Sequence, residues 1–519
     1  MASISSLRLR RSEAQLHALA GVEREIRIND PNGRRKYLRD FSQAFRSYES
    51  VIDRQQLQAS VHAGDIVLVG DYHALPSAQH FAASLLEGRA QPGDRPVVLG
   101  LETVFSRDQH ILDEWWRREI DAEELQQRIR FDLDWGYDWP PFYELLVTAR
   151  DHAEAIYGLD CMPREDLRKI GARDRHAAHK LAEIRERHPQ AVIMVLFGES
   201  HLAPGHLPRV LREKLPGERV VTVLQNVDPL YWRAAGERQE RVEAVRVNRD
   251  VVCVFNSTPL EKYENYRLHL SRWGRTEEEG PDVAPTIYNL IDSLLRFLDI
   301  DRYSSHNGTQ PKFLVDLMPE IYCHASAGRL RQQLSRHHAS EEETEAMVRH
   351  VEERGSVYLP QVNGFYVHEF KMMYAAEEAA RFLHHACRGL PARAKGNTTT
   401  SGGPGHFYAR TIEYALGYFG SRVLYPARAA AEDGQTRELP HAVPASEPRT
   451  EASSRLLGYM LGDAFYEAYL KGRVTRALLR RWFLVHLDEP GKAKETYRDM
   501  AAKVRGLGKK LPASVKLER

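Results

Sequence analysis

Two short Gly-x-x-His motifs are the clearest candidates for chemistry in this sequence. The first joins Gly70 to His73 and includes Asp71, and the second joins Gly198 to His201. Each motif directly follows a run of β-branched and aromatic residues. Imidazole and carboxylate side chains can act as acids, bases or metal ligands near neutral pH. The two motifs therefore predict a site for proton transfer or metal binding.

The motif spacing is weak evidence when it is taken alone. With 34 glycines and 23 histidines in 519 residues, about 1.5 such pairs are expected by chance, which is the usual weakness of a short motif. A third copy, Gly403 with His406, lies in a Gly-rich stretch of the second half. Placement directly after an apolar run distinguishes the first two copies from the third.

Short apolar runs between about residues 60 and 260 predict the strands that position these side chains. The runs are 66–69, 97–99, 155–157, 192–197, 220–224 and 251–255. They are near-continuous rather than alternating, which is typical of strands buried on both faces of a parallel sheet. Helix-length stretches such as 77–89 and 166–187 separate them, and 108–130 with 141–153 predicts two successive helices. The predicted fold is α/β, with a mostly parallel sheet flanked by helices.

Polar side chains follow all six runs. They are Asp71 with His73, Glu102, Asp160, Glu199 with His201, Asn226 with Asp228, and Asn256. The carboxyl ends of parallel strands share one edge of a sheet, where ligands bind, so these residues are expected to converge. Asp160, Asn226 and Asp228 also suit helix caps or turns, and we predict that role for them. His73, Glu102 and His201 are predicted to form the site.

Five segments in the right order carry a resemblance to a known family. They read VLVGDYHALPSAQHF, VVLGLETV, DWGYDWPPFYELLVTAR, IYGLDCMPREDLRKIGARD and VIMVLFGESH. From about Gly64 to Trp232 the sequence resembles ChaN-like domains of the superfamily that also holds Tiki proteases, TraB proteins and erythromycin esterases. Functional residues in that superfamily are two Gly-x-x-His motifs, an acidic pair and an arginine. The resemblance places them on His73, His201, Asp71, Glu102 and Arg173; the first motif usually has Glu where this chain has Asp71.

The first hypothesis is a metal-assisted hydrolase acting on a small ester, amide or peptide-like substrate. His73 would be a base or ligand, Glu102 would orient or deprotonate water, and Arg173 would hold a substrate carboxylate or a developing oxyanion. The predicted catalytic residues are His73, Glu102, His201 and Arg173, and the predicted divalent-metal ligands are Asp71, His73, Glu102 and His201. No Gly-x-Ser-x-Gly elbow is present, which disfavours a serine hydrolase.

Two alternatives stay open. The ChaN resemblance implies haem or iron binding, for which Tyr72 beside His73 is an axial candidate and Tyr137 is part of an aromatic segment, 135–140, that could wall a flat ligand. A packed aromatic loop is the structural alternative for that segment. The second alternative is a non-catalytic interaction protein whose strand-end residues are caps and turns.

The second half of the sequence has a helical rhythm. Apolar residues recur at helical spacing over 287–298, 373–387, 408–419 and 474–487. The predicted domains are an N-terminal helical arm over 1–54, the ChaN-like α/β domain over 55–272, and a mainly α-helical domain over 273–519. A Pro-rich linker is expected near 425–451.

Composition and charge limit the functional classes and the cellular location that remain. The formal net charge of +1 argues against general nucleic-acid binding. No apolar run is long enough to span a membrane, no signal-peptide pattern opens the sequence, and four distant cysteines indicate a reducing compartment, so a cytoplasmic location is expected. The expected partners are a small-molecule substrate or haem, and a homo-oligomer is compatible with the sequence.

Overall fold

A computed structural model describes most of the chain. The described residues are 4–29, 36–91, 93–161, 170–237, 242–272, 282–301, 317–323, 326–336, 341–388, 404–426, 428, 451–487 and 489–504. The chain divides into two compact units. The sheet unit is residues 26–269, and the helical unit is residues 1–25 together with 270–519. Each unit is described by itself.

The sheet unit is built on one eight-stranded sheet. Its strands are β1 Ser50–Ile52, β2 Ile66–Asp71, β3 Val97–Phe105, β4 Ala155–Asp160, β5 Val192–Gly198, β6 Val220–Gln225, β7 Ala244–Asn248 and β8 Val251–Val254. The order across the sheet is β1-β7-β8-β6-β2-β5-β3-β4. Neighbours from β8 to β4 are parallel, whereas β7 is antiparallel to β1 and β8. The predicted α/β fold with a mostly parallel sheet is confirmed.

Helices cover both faces of this sheet. They are α2 Lys36–Ala44, α3 Arg54–His62, α4 Pro76–Arg89, α5 Gln109–Trp116, α6 Ala122–Arg128, α7 Phe131–Asp134, α8 Trp139–His152, α9 Ile170–Arg187, α10 Leu207–Lys214, α11 Asp228–Glu237 and α12 Pro259–Arg272. Val67 and Val69 pack into one core with residues of α4 and α8, and Ile66 and Leu68 pack into the other with residues of α9 and α10. Burial on both faces explains why the strand sequences are continuously apolar.

The prediction is wrong in detail at two places in the sheet unit. Four helices, α5 to α8, connect β3 to β4 where two were expected. The edge strand β1 and its neighbour β7 were not predicted, because β1 has only three residues and the outer part of β7 is partly exposed. Very short or partly exposed strands lack the long buried run that makes a strand recognisable in a sequence.

The helical unit contains the first part of α1 Ile4–Asn29 and most of the second half of the chain. Its other helices are α13 Ala284–Leu298, α14 Ala327–Arg336, α15 Glu341–Arg354, α16 Met372–Ala386, α17 Pro404–Leu424, α18 Glu451–Leu470, α19 Arg476–Leu484 and α20 Lys492–Val504. The mainly helical prediction is confirmed. A three-stranded sheet was not predicted; it consists of β9 Glu320–Cys323, β10 Ser356–Leu359 and β11 Gly364–Val367, in the order β10-β11-β9.

Glycines allow close packing of α16, α17 and α18. A Cβ atom added at Gly420 on α17 would lie 2.4 Å from the Cβ of Ala380 on α16. A Cβ added at Gly458 on α18 would lie 2.4 Å from the Cβ of Tyr414 on α17. Both separations are far below a normal carbon–carbon contact. These helices therefore need glycine where they cross.

Two expectations fall largely on residues outside the described set. Most of the predicted 425–451 linker lies there, as does most of the Gly-rich stretch before His406. Across the described ranges, no helix combines the length and apolar character needed to cross a bilayer.

Candidate active site

Three neighbouring strand ends bring His73, Glu102 and His201 together. β2 lies next to β5 and β5 lies next to β3 in the sheet, although β2 and β5 are far apart in sequence. Asp71 at the end of β2 pairs in register with Gly198 at the end of β5. Glu102 lies in β3 where the pairing with β4 becomes irregular, between Leu101 and Phe105. Such an irregularity changes the direction in which a strand residue points.

Glu102 lies between the two imidazoles. Its Oε2 atom is 3.7 Å from Nε2 of His73, and its Oε1 atom is 3.7 Å from Nε2 of His201. Both Glu102 oxygens also accept hydrogen bonds, one from Arg173 at 2.6 Å and the other from the backbone amide of Gly198. The carboxylate is thus fixed in place by groups from β5 and α9.

Each imidazole is oriented by an aspartate on its other nitrogen. Nδ1 of His73 is 2.6 Å from Oδ2 of Asp71, and Nδ1 of His201 is 2.5 Å from Oδ1 of Asp174. Because an ionised carboxylate only accepts hydrogen bonds, Nδ1 is the donor in both pairs. Nε2 of each ring is therefore the nitrogen directed at Glu102.

Arg173, on α9, bridges the carboxylates of Asp160 and Glu102. Its Nε and Nη2 atoms donate to the two oxygens of Asp160, each at 2.7 Å, and Nη2 also donates to Glu102. Both Asp160 oxygens thus pair with the guanidinium, and the segment directly after Cys161, which Asp160 was predicted to cap, lies outside the described residues. Nη1 of Arg173 donates to no residue in the described part of the chain.

The turn predictions for the other two residues agree with the local backbone. Asn226 has a φ angle of 50°, which suits a turn, and Asp228 begins α11. The side chain of Asn226 bonds to Asn256 and to the Ser257 amide. These residues reinforce the strand-end loops.

Gly198 leaves room between the catalytic candidates. A Cβ atom added there would lie 2.9 Å from Oε2 of Glu102, 3.5 Å from Nε2 of His73 and 3.6 Å from Cδ2 of His201. The first distance is shorter than a carbon–oxygen contact normally allows. A side chain at this position would fill the space that the two imidazoles and the carboxylate share.

Glu102 is ionised although it is only 3% exposed. Burial alone would raise the pKa of Glu102, but Arg173, His201 and His73 lower it to about 2. Burial likewise tends to lower the pKa of Arg173, and Glu102 with Asp160 raises it above its usual value. Arg173 and Glu102 therefore form a persistent buried ion pair beside the imidazoles.

Aromatic side chains surround His73. Its ring centroid is 5.2 Å from that of Trp135, 5.3 Å from Tyr137 and 6.3 Å from Phe142. The Tyr137 ring in turn stacks on His269 at 4.2 Å. The segment predicted to wall a ligand therefore packs against a candidate catalytic residue, and the His73 side chain remains 13% exposed.

Tyr72 lies against a separate set of groups from α12. Its ring is 4.5 Å from Nζ of Lys262, and the same ammonium group donates to Glu199 at 2.8 Å. Tyr263 and Tyr266 approach the Tyr72 ring edge-on. Burial, and next Glu199, raises the pKa of Tyr72 well above 10. The phenol is therefore neutral near pH 7.

The donor set does not fit a divalent metal in this arrangement. No group of three His, Cys, Asp or Glu side chains within the described ranges has a geometry that could hold a metal ion. The oxygens of Asp71 are engaged by His73 and by Gln79, and those of Glu102 by Arg173 and Gly198. The arrangement of these side chains therefore gives no support to the predicted divalent-metal site.

The fit to haem ligation through Tyr72 is also poor. A tyrosine that binds haem iron does so as the phenolate, and the raised pKa of Tyr72 opposes that form. His73 points its Nε2 atom at Glu102, and aromatic rings lie around it.

Sequence reasoning missed Tyr37 and Asp174. The Tyr37 hydroxyl donates to Oδ2 of Asp174, whose other oxygen holds His201, and the Tyr37 ring stacks on His206 at 3.6 Å. Asp174 directly follows Arg173 in the GARD segment, so its position was a usable signal. Tyr37 lies on α2, before the first strand, and no local pattern marks it.

The fold and the site define an α/β protein with paired Asp–His groups and an Arg–Glu ion pair at the carboxyl edge of a parallel sheet. A family model described as "Haem-binding uptake, Tiki superfamily, ChaN" matches residues 57–191. Residues 57–191 are therefore similar to the ChaN family of the Tiki superfamily, in agreement with the resemblance of the sequence motifs.

One solved structure is also similar to part of the chain. It is described as "Cofacial heme binding to ChaN of Campylobacter jejuni", with 15% identity, coverage of 34% of this chain and 86% of that chain, and a TM-score of 0.26. A search of curated proteins found no match.

Proposed function

We propose that the sheet unit is a hydrolase of small ester, amide or peptide-like substrates that works by acid–base catalysis at His73, Glu102 and His201. One observation carries this proposal: two imidazoles, each oriented by an aspartate, direct Nε2 at the same ionised carboxylate. A pair of oriented imidazoles is suited to remove one proton and deliver another in one reaction.

His73 is the proposed base because it is the more exposed imidazole, at 13% against 4% for His201. It takes a proton from the attacking water, while the water oxygen forms a bond to the substrate carbonyl carbon. His201 gives a proton to the leaving oxygen or nitrogen as the original bond breaks. A proton moving from His73 to His201 through solvent restores the starting state.

Glu102 and Arg173 have electrostatic roles. The Glu102 carboxylate stabilises whichever imidazole is protonated, because it lies 3.7 Å from both Nε2 atoms. Nη1 of Arg173 is the candidate donor to the oxyanion, since the other donors of that guanidinium already serve Asp160 and Glu102. Donors directed at developing charge commonly contribute a large part of catalysis.

The experiment compares wild type with His73→Ala, His201→Ala and His406→Ala on p-nitrophenyl acetate and p-nitroanilide probes. We expect the first two variants to lose about 10²–10⁴-fold in kcat/KM, the usual size of an acid–base contribution. His406 is the matched control because it ends the chance copy of the motif and is exposed on α17. Equal rates for wild type and a His73→Ala/His201→Ala double variant would overturn the proposal.

The same preparations test the predicted cofactors. Rates measured after treatment with EDTA, and elemental analysis of the purified protein, decide whether a divalent metal assists the reaction. The haem alternative rests on the description of the matching family, and an absorbance scan after incubation with haemin tests it. A Soret band that disappears in Tyr72→Phe would favour haem ligation over the hydrolase.

A further inference from the structure

The helical unit contains a buried charged group centred on Glu377 of α16. Nη2 of Arg428 is 2.8 Å from Oε2 of Glu377, and Nη1 of Arg354 is 3.5 Å from the same oxygen. The Tyr459 hydroxyl donates to Oε1 of Glu377 at 2.5 Å and accepts from Arg354. We call Glu377, Arg354, Arg428 and Tyr459 the Glu377 cluster.

The Glu377 cluster carries an excess positive charge. Burial would raise the pKa of Glu377, but Arg428 and Arg354 lower it to about 2, so its carboxylate is ionised. Within the described ranges, two guanidinium groups therefore share one carboxylate. Glu377 is 1% exposed and Arg428 is 6% exposed, so water screens this charge little.

The excess charge has only partial compensation from aromatic rings. The guanidinium of Arg428 lies 4.1 Å from the centre of the Tyr418 ring, and that of Arg354 lies 5.0 Å from the Tyr374 ring. Such contacts are weaker than a full ion pair in a buried site. Nη1 of Arg428 is buried and has no hydrogen-bond acceptor among the residues that the structure describes. Buried donors nearly always have one, so this nitrogen is an independent sign of a ligand.

A second charged group on the same helices is balanced. Arg381 donates to Glu378 and to Glu413, each at 2.6 Å, and Arg410 donates to Glu413 at 2.6 Å. Two arginines here face two carboxylates. The imbalance therefore belongs to the Glu377 cluster and is not a general property of the α16–α17 pair.

We propose that the Glu377 cluster binds a small oxyanion, a phosphate or carboxylate group, through Arg354 and Arg428. A planar guanidinium donates two parallel hydrogen bonds to such a group, which is why arginine predominates in these sites. Arg354 and Tyr374 are partly exposed and mark the side from which the anion enters. The bound anion would neutralise the excess charge and supply an acceptor for Nη1 of Arg428.

Calorimetric titration of the full-length chain with inorganic phosphate, and separately with acetate, tests this proposal at constant ionic strength. We expect one binding site, and we expect Arg428→Gln and Arg354→Gln each to weaken binding at least tenfold. Arg410→Gln is the matched control from the balanced group, and its affinity should stay within about twofold of wild type. Saturating anion should raise the wild-type melting temperature by about 5 °C.

The two titrations distinguish the sources of the anion. Binding of phosphate alone identifies a phosphate-bearing ligand, and binding of acetate identifies a carboxylate ligand. Should neither bind wild type, or should Arg410→Gln weaken binding as much as the cluster variants, the proposal is overturned. Arg354→Gln keeps the test decisive if Arg428→Gln does not fold, because Arg354 is nearer the surface.

Discussion

At the scale of single residues, Glu102 combines two tasks that usually conflict. It is buried and ionised, with its charge held by Arg173, and it faces two imidazoles that change protonation in the proposed reaction. Removing one partner from a buried ion pair leaves the other partner uncompensated. The same residue is therefore expected to matter for both stability and turnover.

The lowered pKa of Glu102 makes the stability of the protein depend on pH. Because its folded pKa, about 2, is below the ordinary value of 4.5, Glu102 stabilises the fold above pH 4.5 and loses that effect as the pH falls towards 2. The stabilisation lost is about 3 kcal/mol. We expect to see this in urea unfolding at pH 7, 4.5 and 3: the free energy of unfolding should fall less with decreasing pH for Glu102→Gln than for wild type.

Glu123→Gln is the control for this measurement, because Glu123 is exposed on α6. Its stability should follow the wild-type pH dependence throughout. Identical slopes for wild type and Glu102→Gln would contradict the assigned ionisation of Glu102. Comparing variants in this way removes the effect of other buried acids such as Glu377.

Tyr37 is predicted to position His201 through Asp174. Tyr37→Phe keeps the ring stacked on His206 and removes only the hydrogen bond to Asp174. We expect kcat for the ester probe to fall about tenfold at unchanged KM, with a stability loss of about 1 kcal/mol. Tyr143→Phe on α8 should leave the rate unchanged, and a matching loss in that control would contradict the prediction.

Residues of this kind mark the limit of sequence reasoning. His73, Glu102 and His201 could be grouped because each follows a buried strand and parallel strands end at one edge. Tyr37 reaches the same site from a helix that precedes the sheet, and its contact depends on how α2 packs. The ion pair between Asp160 and Arg173 likewise depends on how α9 packs against the sheet, which the local sequence does not show.

At the scale of elements, the parallel strands of the large sheet were predictable from their apolar runs, whereas β1, β7 and the three-stranded sheet were not. β2, β3, β5 and β6 are buried along their whole length, which produces an unbroken apolar run. β9 to β11 have four residues each, and their pairing with one another is what makes them strands. Short pairing partners cannot be recognised from one segment of sequence.

The need for glycine where α16 and α17 cross can be tested by substitution. Gly420→Ala would place a Cβ atom 2.4 Å from Ala380, so α16 and α17 must move apart. We expect a loss of about 1–3 kcal/mol by chemical denaturation, the usual cost of overpacking.

Gly88→Ala provides the opposite case. Gly88 is exposed in α4, and an added Cβ meets nothing within 4 Å. Alanine should therefore stabilise that helix by about 0.5–1 kcal/mol, because it restricts the unfolded chain. A similar loss of stability in Gly420→Ala and Gly88→Ala would show that the destabilisation at Gly420 does not come from the helix crossing.

At the scale of the whole molecule, the sheet unit is one continuous segment that holds every proposed catalytic residue and both cores of the sheet. A polypeptide of residues 26–269 should therefore fold by itself and retain hydrolysis of the ester probe. Circular dichroism and the rate assay check this expectation. A folded segment without activity would show that the helical unit is needed for turnover.

The helical unit, by contrast, is assembled from the two ends of the chain. On α1, Ala18 accepts a hydrogen bond through its carbonyl from Asn289 of α13, and Val22 is buried. During synthesis these α1 residues leave the ribosome first, and α13 follows only after the whole sheet unit has been made. At roughly 5–20 residues per second, that interval lasts on the order of 10–50 s. The apolar face of α1, which includes Ala18, Leu19 and Val22, thus lacks its native partners throughout this time, and a co-translational chaperone that covers exposed apolar surface would have a substrate there.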